Sequence, residues 1–164
     1  MSIRRLVLTI AAIGAMSSAF GQSSATTRDF NLPPVGLGAT ETAEINVANF
    51  ASNASDGTAA SCTGSISFLN ASGATIGSAT PFTLASGQIL SARLPFSGAG
   101  ASGTRTAIRG VVALTLSTAT PRPPCGLAVS LATYDTSSGA THALVPSGAG
   151  GGPGGGPGFG PGPR

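Results

Sequence analysis

Between Thr42 and Phe50 the chain reads TAEINVANF, with Ala43, Ile45 and Val47 alternating against Glu44, Asn46 and Ala48. Alternation of this kind collects apolar side chains on one face of a strand, because successive side chains point to opposite sides of the pleat. Four further stretches repeat it. CTGSISFLN sets Cys62, Gly64, Ile66 and Phe68 against Thr63, Ser65 and Ser67, and ILSARLPF sets Leu90, Ala92, Leu94 and Phe96 against Ser91 and Arg93. IRGVVALTLS aligns Ile108, Gly110, Val112, Leu114 and Leu116, and CGLAVSLATY aligns Cys125, Leu127, Val129 and Leu131. No stretch of the region carries a convincing helical period. Half-apolar faces must close on one another, and the economical solution is an all-β, immunoglobulin-like antiparallel β-sandwich of about seven strands. Tryptophan is absent, so the buried Cys–Trp–Cys arrangement of antibody domains is not available. The aromatic core is expected from Phe30, Phe50, Phe68, Phe82 and Phe96, with Tyr134 as a further candidate.

Two segments between these strands echo each other. SFLNASGATIG and ATYDTSSGATHALV each place an aromatic residue four positions before Ser-Gly-Ala-Thr. Asn70 followed by Gly73 has the residue preferences of a tight turn that ends in a left-handed residue, and Asp135 to Gly139 repeats it one residue longer. Ala85-Ser86-Gly87 is a third instance. The doublet predicts corners of the fold, with Ser-Gly closing hairpins.

The ends of the chain differ from the middle. Arg4 and Arg5 precede an apolar run from Leu6 to Met16, and Ala19-Phe20-Gly21 places small residues where a secretory signal is cut. The run is roughly half the length that a bilayer-spanning helix needs. Residues 1–21 are therefore expected to be a signal peptide, with no membrane span after its removal. Ser147 to Arg164 is almost entirely glycine and proline, a composition that cannot bury a core, so 147–164 is expected to be a disordered Gly/Pro-rich tail. Residues 22–146 remain as a β-sandwich domain, long enough for one real core.

Composition narrows the chemistry. The net charge of +3 falls to +1 without Arg4 and Arg5, and the remaining arginines are scattered, which excludes nucleic acid as a partner class. Only 8% of residues are charged, so solubility rests on Ser, Thr, Asn and Gly. In an exported chain the two cysteines predict a disulfide between Cys62 and Cys125. No catalytic, metal or cofactor-binding residue is expected. His142 is the single histidine, read as an exposed strand residue, and cannot supply a zinc or copper site with two paired cysteines. The acids Asp29, Glu41, Glu44, Asp56 and Asp135 show no pairing of the kind glycosidases use. Asp56 and Asp135 could share a calcium ion only if their loops met at one end of the sandwich. Arg109, inside an apolar strand, is expected on an outer face, with Glu44 as its alternative partner.

The order GLGATETAEINVANF, SCTGSISFLNASGATIG, PFTLASGQ, AIRGVV and CGLAVSLATYDTSSGATHALV resembles a group of uncharacterised exported bacterial proteins with the same two cysteines and the same aromatic-led turns. That resemblance spans roughly Leu37 to Val145 and implies a fold and an exported location, with no active residues to carry over. The chain also resembles chaperone–usher pilins, which are exported, low-charge sandwiches with one disulfide. Pilin subunits join by donating an N-terminal strand, and here Ser23 to Leu32 would be that arm. The widely spaced cysteines and the Gly/Pro C-terminus depart from the pilin pattern. The expected role is a non-enzymatic binding or structural module of the envelope or extracellular space, monomeric, with an unknown protein or surface partner. A pilin-like subunit assembling by strand exchange is the alternative.

Overall fold

The structure, a computed structural model, describes residues 26–146. The expected signal peptide (1–21) and Gly/Pro tail (147–164) lie outside the described residues. Nine strands form within them: β1 Thr27–Asn31, β2 Val35–Gly38, β3 Glu41–Asn49, β4 Ser61–Asn70, β5 Thr75–Ala85, β6 Ile89–Pro95, β7 Arg105–Thr115, β8 Leu127–Asp135 and β9 Thr141–Pro146. They make two antiparallel sheets packed face to face, β1/β2-β7-β4-β5 and β6-β3-β8-β9. The fold is a β-sandwich. Its central pairs are β3 with β6 in one sheet and β4 with β7 in the other. β1 and β2 take the edge beside β7, and β8 sits beside β3.

The alternation read from the sequence sets the inner faces. Ala43, Ile45 and Val47 of β3 are fully buried, facing Cys62, Ile66 and Phe68 of β4 and Ile108, Val112 and Leu114 of β7 in one core. Leu37, Leu94, Val129 and Leu131 complete it. Nine strands replace about seven because the N-terminal edge adds two, β1 and β2. Thr27–Asn31 pairs with Val111–Thr115, and Val35–Gly38 continues along Arg105–Ile108 of the same strand. Pro33 and Pro34 lie between them and have no N–H to give to a ladder. From Thr27 onward the segment considered as an exchange arm is thus a strand of the chain's own sheet.

Three expectations change in detail. Phe50 is 69% exposed, because β3 ends at Asn49 and the chain turns outward there. Cys125 lies in the loop before β8, exposed, since the inward alternation begins only at Leu127. It is nonetheless bonded to Cys62, with a Cα–Cα distance of 5.1 Å across a separation of 63 residues. The Ala85–Gly87 turn, closed by Gln88 N–H to Ala85 C=O at 3.1 Å, passes the chain from one sheet to the other and closes no hairpin.

The other two turns are hairpin corners. Asn70 Oδ1 accepts from Ser72 N–H at 3.0 Å and Ala74 N–H at 2.9 Å, and Gly73 takes φ 84°. Asp135 Oδ1 accepts from Ser137 and Ser138 N–H at 3.0 and 2.9 Å, and Gly139 takes φ 71°. A side-chain acceptor capturing the amides two to four residues on, then a glycine free to turn left, is what the repeated motif encodes.

One buried polar residue ties the sheets together at the opposite end. Asn49 is 1% exposed, and its Nδ2 donates to the Leu84 carbonyl of β5 at 3.0 Å. Its Oδ1 accepts from Ala51 N–H at 3.1 Å and Gly126 N–H at 3.3 Å. Its main chain bonds Gln88 C=O at 3.0 Å and Gly87 N–H at 2.7 Å in the β5–β6 corner. Truncating the side chain strands a buried carbonyl and two amides, each worth about 1–3 kcal/mol if unpaired. Asn49→Ala is expected to lower stability by roughly 2–4 kcal/mol in non-reducing urea unfolding. Asn49→Asp, which keeps the acceptor and loses the donor, should also destabilise. A loss indistinguishable from that of a half-buried Asn46→Ala control would show that the clasp does not hold this end.

Candidate functional site

The edge strands β2 and β9 face each other on one side of the sandwich, belonging to different sheets. Between them lies a cleft of about 500 Å³, lined by Pro34, Gly36, Glu41, Arg105, Thr133 and His142 among others. It is the place where the described residues bring a carboxylate, an imidazole, a guanidinium and a buried hydroxyl together.

Each of these groups arrives for a local reason. Thr133 pairs with Ala143 and Tyr134 with Thr141, so His142 is the extra residue of a β-bulge. A bulge leaves its added residue outside the ladder and re-aims its side chain. The imidazole consequently turns from the strand edge to Glu41 at the start of β3, and Nδ1 bonds Glu41 Oε1. An ionised carboxylate only accepts, so Nδ1 carries the proton of that bond and Nε2 is left for other partners. The second oxygen, Oε2, accepts from Gly38 N–H at 2.6 Å, a bond the short β2–β3 turn places within reach.

Arg105 begins β7 opposite Gly38 and lays its guanidinium across β2. A Cβ on Gly36 would stand 2.3 Å from Arg105 Nη2, so this path exists because position 36 has no side chain. Glu41–His142 and Arg93–Glu44 are the side-chain ion pairs among the described residues, which leaves Arg105 with no carboxylate within 4.0 Å. Thr133, on the inner parity of β8, is 1% exposed, and its Oγ1 has no hydrogen-bond partner.

The Glu41 carboxyl is held below its ordinary value of 4.5, first by the Gly38 amide and then by His142, with a smaller pull from Arg105; partial burial opposes them. Asp135 is also lowered, chiefly by the Ser137 hydroxyl and the Ser138 amide, and Asp56 by Thr58.

The remaining sequence candidates lie apart. Asp56 sits in the β3–β4 loop and Asp135 in the β8–β9 turn, at opposite ends of the sandwich, so no shared calcium site forms between them. Glu44 receives Arg93 Nε at 2.5 Å on an outer face, and Arg109 instead lies beside the Asn70–Gly73 turn. Among the described residues no three His, Cys, Asp or Glu side chains are grouped to hold a metal ion. Sequence reasoning treated His142 as an exposed strand residue and missed its contact with Glu41. It also passed over Arg105, Thr133 and Asn49. For Asn49 a signal was present: it follows Ala43, Ile45 and Val47 on the buried parity.

The one side-chain hydrogen bond of His142 goes to Glu41. The cleft thus holds an oriented imidazole and an arginine with no carboxylate within 4.0 Å among the described residues. Comparison of the chain with protein-family models, curated proteins and solved structures finds no match.

The lowered carboxyl sets a pH signature. A folded value below the unfolded one means that ionised Glu41 stabilises the fold above about pH 4.5, and that this contribution is lost as pH falls through the folded value. Asp135 and Asp56 act in the same direction. Glu41→Gln should therefore be less stable than the parent near pH 6, with the gap closing toward about pH 3 in thermal melts. A gap that widens on acidification would contradict the assigned bonds.

Proposed function

We propose that the protein is a non-enzymatic, exported binding module of the cell envelope or extracellular space, and that its ligand seat is the cleft between β2 and β9. The observation that carries this reading is the unpartnered pair inside the cleft, the Arg105 guanidinium and the buried Thr133 hydroxyl. A buried polar group left unpaired, as Thr133 Oγ1 is, costs about 1–3 kcal/mol, a cost that a ligand can relieve, and the exposed Arg105 beside it has no carboxylate partner. The disulfide supports an oxidising compartment, as does the signal-like N-terminus. No helix among the described residues is long and apolar enough to cross a membrane. The resemblance to exported bacterial sandwich proteins points to the same setting.

Strand exchange is the second reading, and β1 is what favours it. Most of β1 is exposed, and Pro33-Pro34 separates it from the better buried β2. A neighbour's arm would find the same seat along Val111–Thr115.

Native mass spectrometry of the exported protein without reductant separates the two. A single monomeric species lacking residues 1–21 and carrying the disulfide is the expected result, and a ladder of multiples would transfer the assignment to strand exchange. Amide-shift screening against fractions of polar cell extract should then shift Gly36, Gly38 and His142 with at least one fraction. If no fraction shifts them, the cleft is not the ligand seat.

A further inference from the structure

The charged groups around the cleft are unequally partnered. Glu41 is engaged on both oxygens, by Gly38 N–H and by His142, whereas the guanidinium of Arg105 is met by no carboxylate among the described residues. Arg105 is therefore the charged group of the cleft that has no side-chain partner in contact among the described residues. Beside it are the free Nε2 of His142 and, at the floor, the orphaned Thr133 Oγ1.

Resting on the binding reading above, we infer that the cleft takes a ligand bearing one carboxylate, which pairs with Arg105 and directs an oxygen toward Thr133. A planar guanidinium fork matches a carboxylate in two parallel bonds. Glu41 lines the same cleft, so each added negative charge on a ligand adds repulsion, and a monoanion is favoured over a dianion such as sulfate. Gly36 belongs to the site because it lets the guanidinium lie flat over β2. The same chemistry would accept a free carboxylic acid or a carboxylate carried on a sugar or a peptide terminus.

Isotope-labelled protein titrated with acetate, glucuronate, an acetylated dipeptide, sulfate and glycerol tests this by amide shifts. The expected result is saturable shifts at Gly36, Gly38 and His142 with at least one of the carboxylates, and little with sulfate or glycerol. The strongest of the three identifies the carrier. Arg105→Gln should weaken that binding about tenfold or more, since bonds to charged groups are the strong ones. Gly36→Ala keeps the cation but displaces it, and should weaken binding with the thermal midpoint checked in parallel. Thr133→Val removes the hydroxyl at nearly constant shape and should weaken binding while leaving stability equal or higher. Carboxylate shifts that survive Arg105→Gln, or sulfate binding as well as acetate, would overturn the inference. Shifts from glycerol alone would also overturn it, yet leave the cleft a ligand seat. Silence from every probe, together with silence from the extract fractions, would remove both.

Discussion

Asn49 satisfies, with one side chain, backbone groups from three parts of the chain that sequence keeps far apart: Leu84 at the end of β5, Gly126 before β8, and its own turn at Ala51. A β-sandwich is held mainly by non-directional apolar contact between its sheets. Apolar contact alone does not fix how crossing connections meet at the ends, where strands stop and backbone groups lose their ladders. The buried amide supplies that directionality. The Cys62–Cys125 bond lies at the same end, beside the Ser61 N–H to Pro124 C=O bond of 2.9 Å. On the chain-entropy model a loop of that length contributes about 4 kcal/mol. One end of the sandwich is thereby closed by a covalent link and a polar clasp.

The freedom left by that arrangement lies elsewhere. Away from it run the β2–β3 turn, the loop after β6 and the two Asx-type hairpin corners, rich in Gly, Ala, Ser and Thr. Loops borne on a rigid scaffold are where binding groups are usually found. Here the polar groups converge slightly inside that rim, where the edges of both sheets come side by side. Closed sheets have no such opening, so the site is a by-product of the sandwich having edges at all.

The strands that alternate cleanly were legible, and so was the all-β class. Ala43, Ile45 and Val47, and Ile108, Val112 and Leu114, bury as their parity requires. The turns were legible too, because Asn or Asp with a following glycine has a local physical meaning. What failed did so where local pattern stops carrying information. Carrying the alternation of β8 back through Gly126 put Cys125 inside, whereas the ladder starts at Leu127. The N-terminal edge was not read as two strands, since Arg28 and Asp29 face water and two prolines interrupt it. The candidate site was the least legible part. Glu41 and His142 are 101 residues apart, and their meeting depends on a one-residue bulge that alternation cannot announce. Strand parity assigns faces; it does not assign neighbours.

Gly36 and Arg105 carry a consequence for inheritance. They sit 69 positions apart in the chain, yet the space above Gly36 is filled by the Arg105 guanidinium. A lineage that acquires any side chain at 36 must move the arginine, and one that loses the arginine releases 36 from its need for glycine. The two positions are coupled in one direction: a side chain at 36 displaces the guanidinium, while glycine fits whether or not the arginine is kept. Among descendants of this sequence, a side chain gained at 36 would therefore mark a line in which the Arg105 guanidinium has been moved or given up.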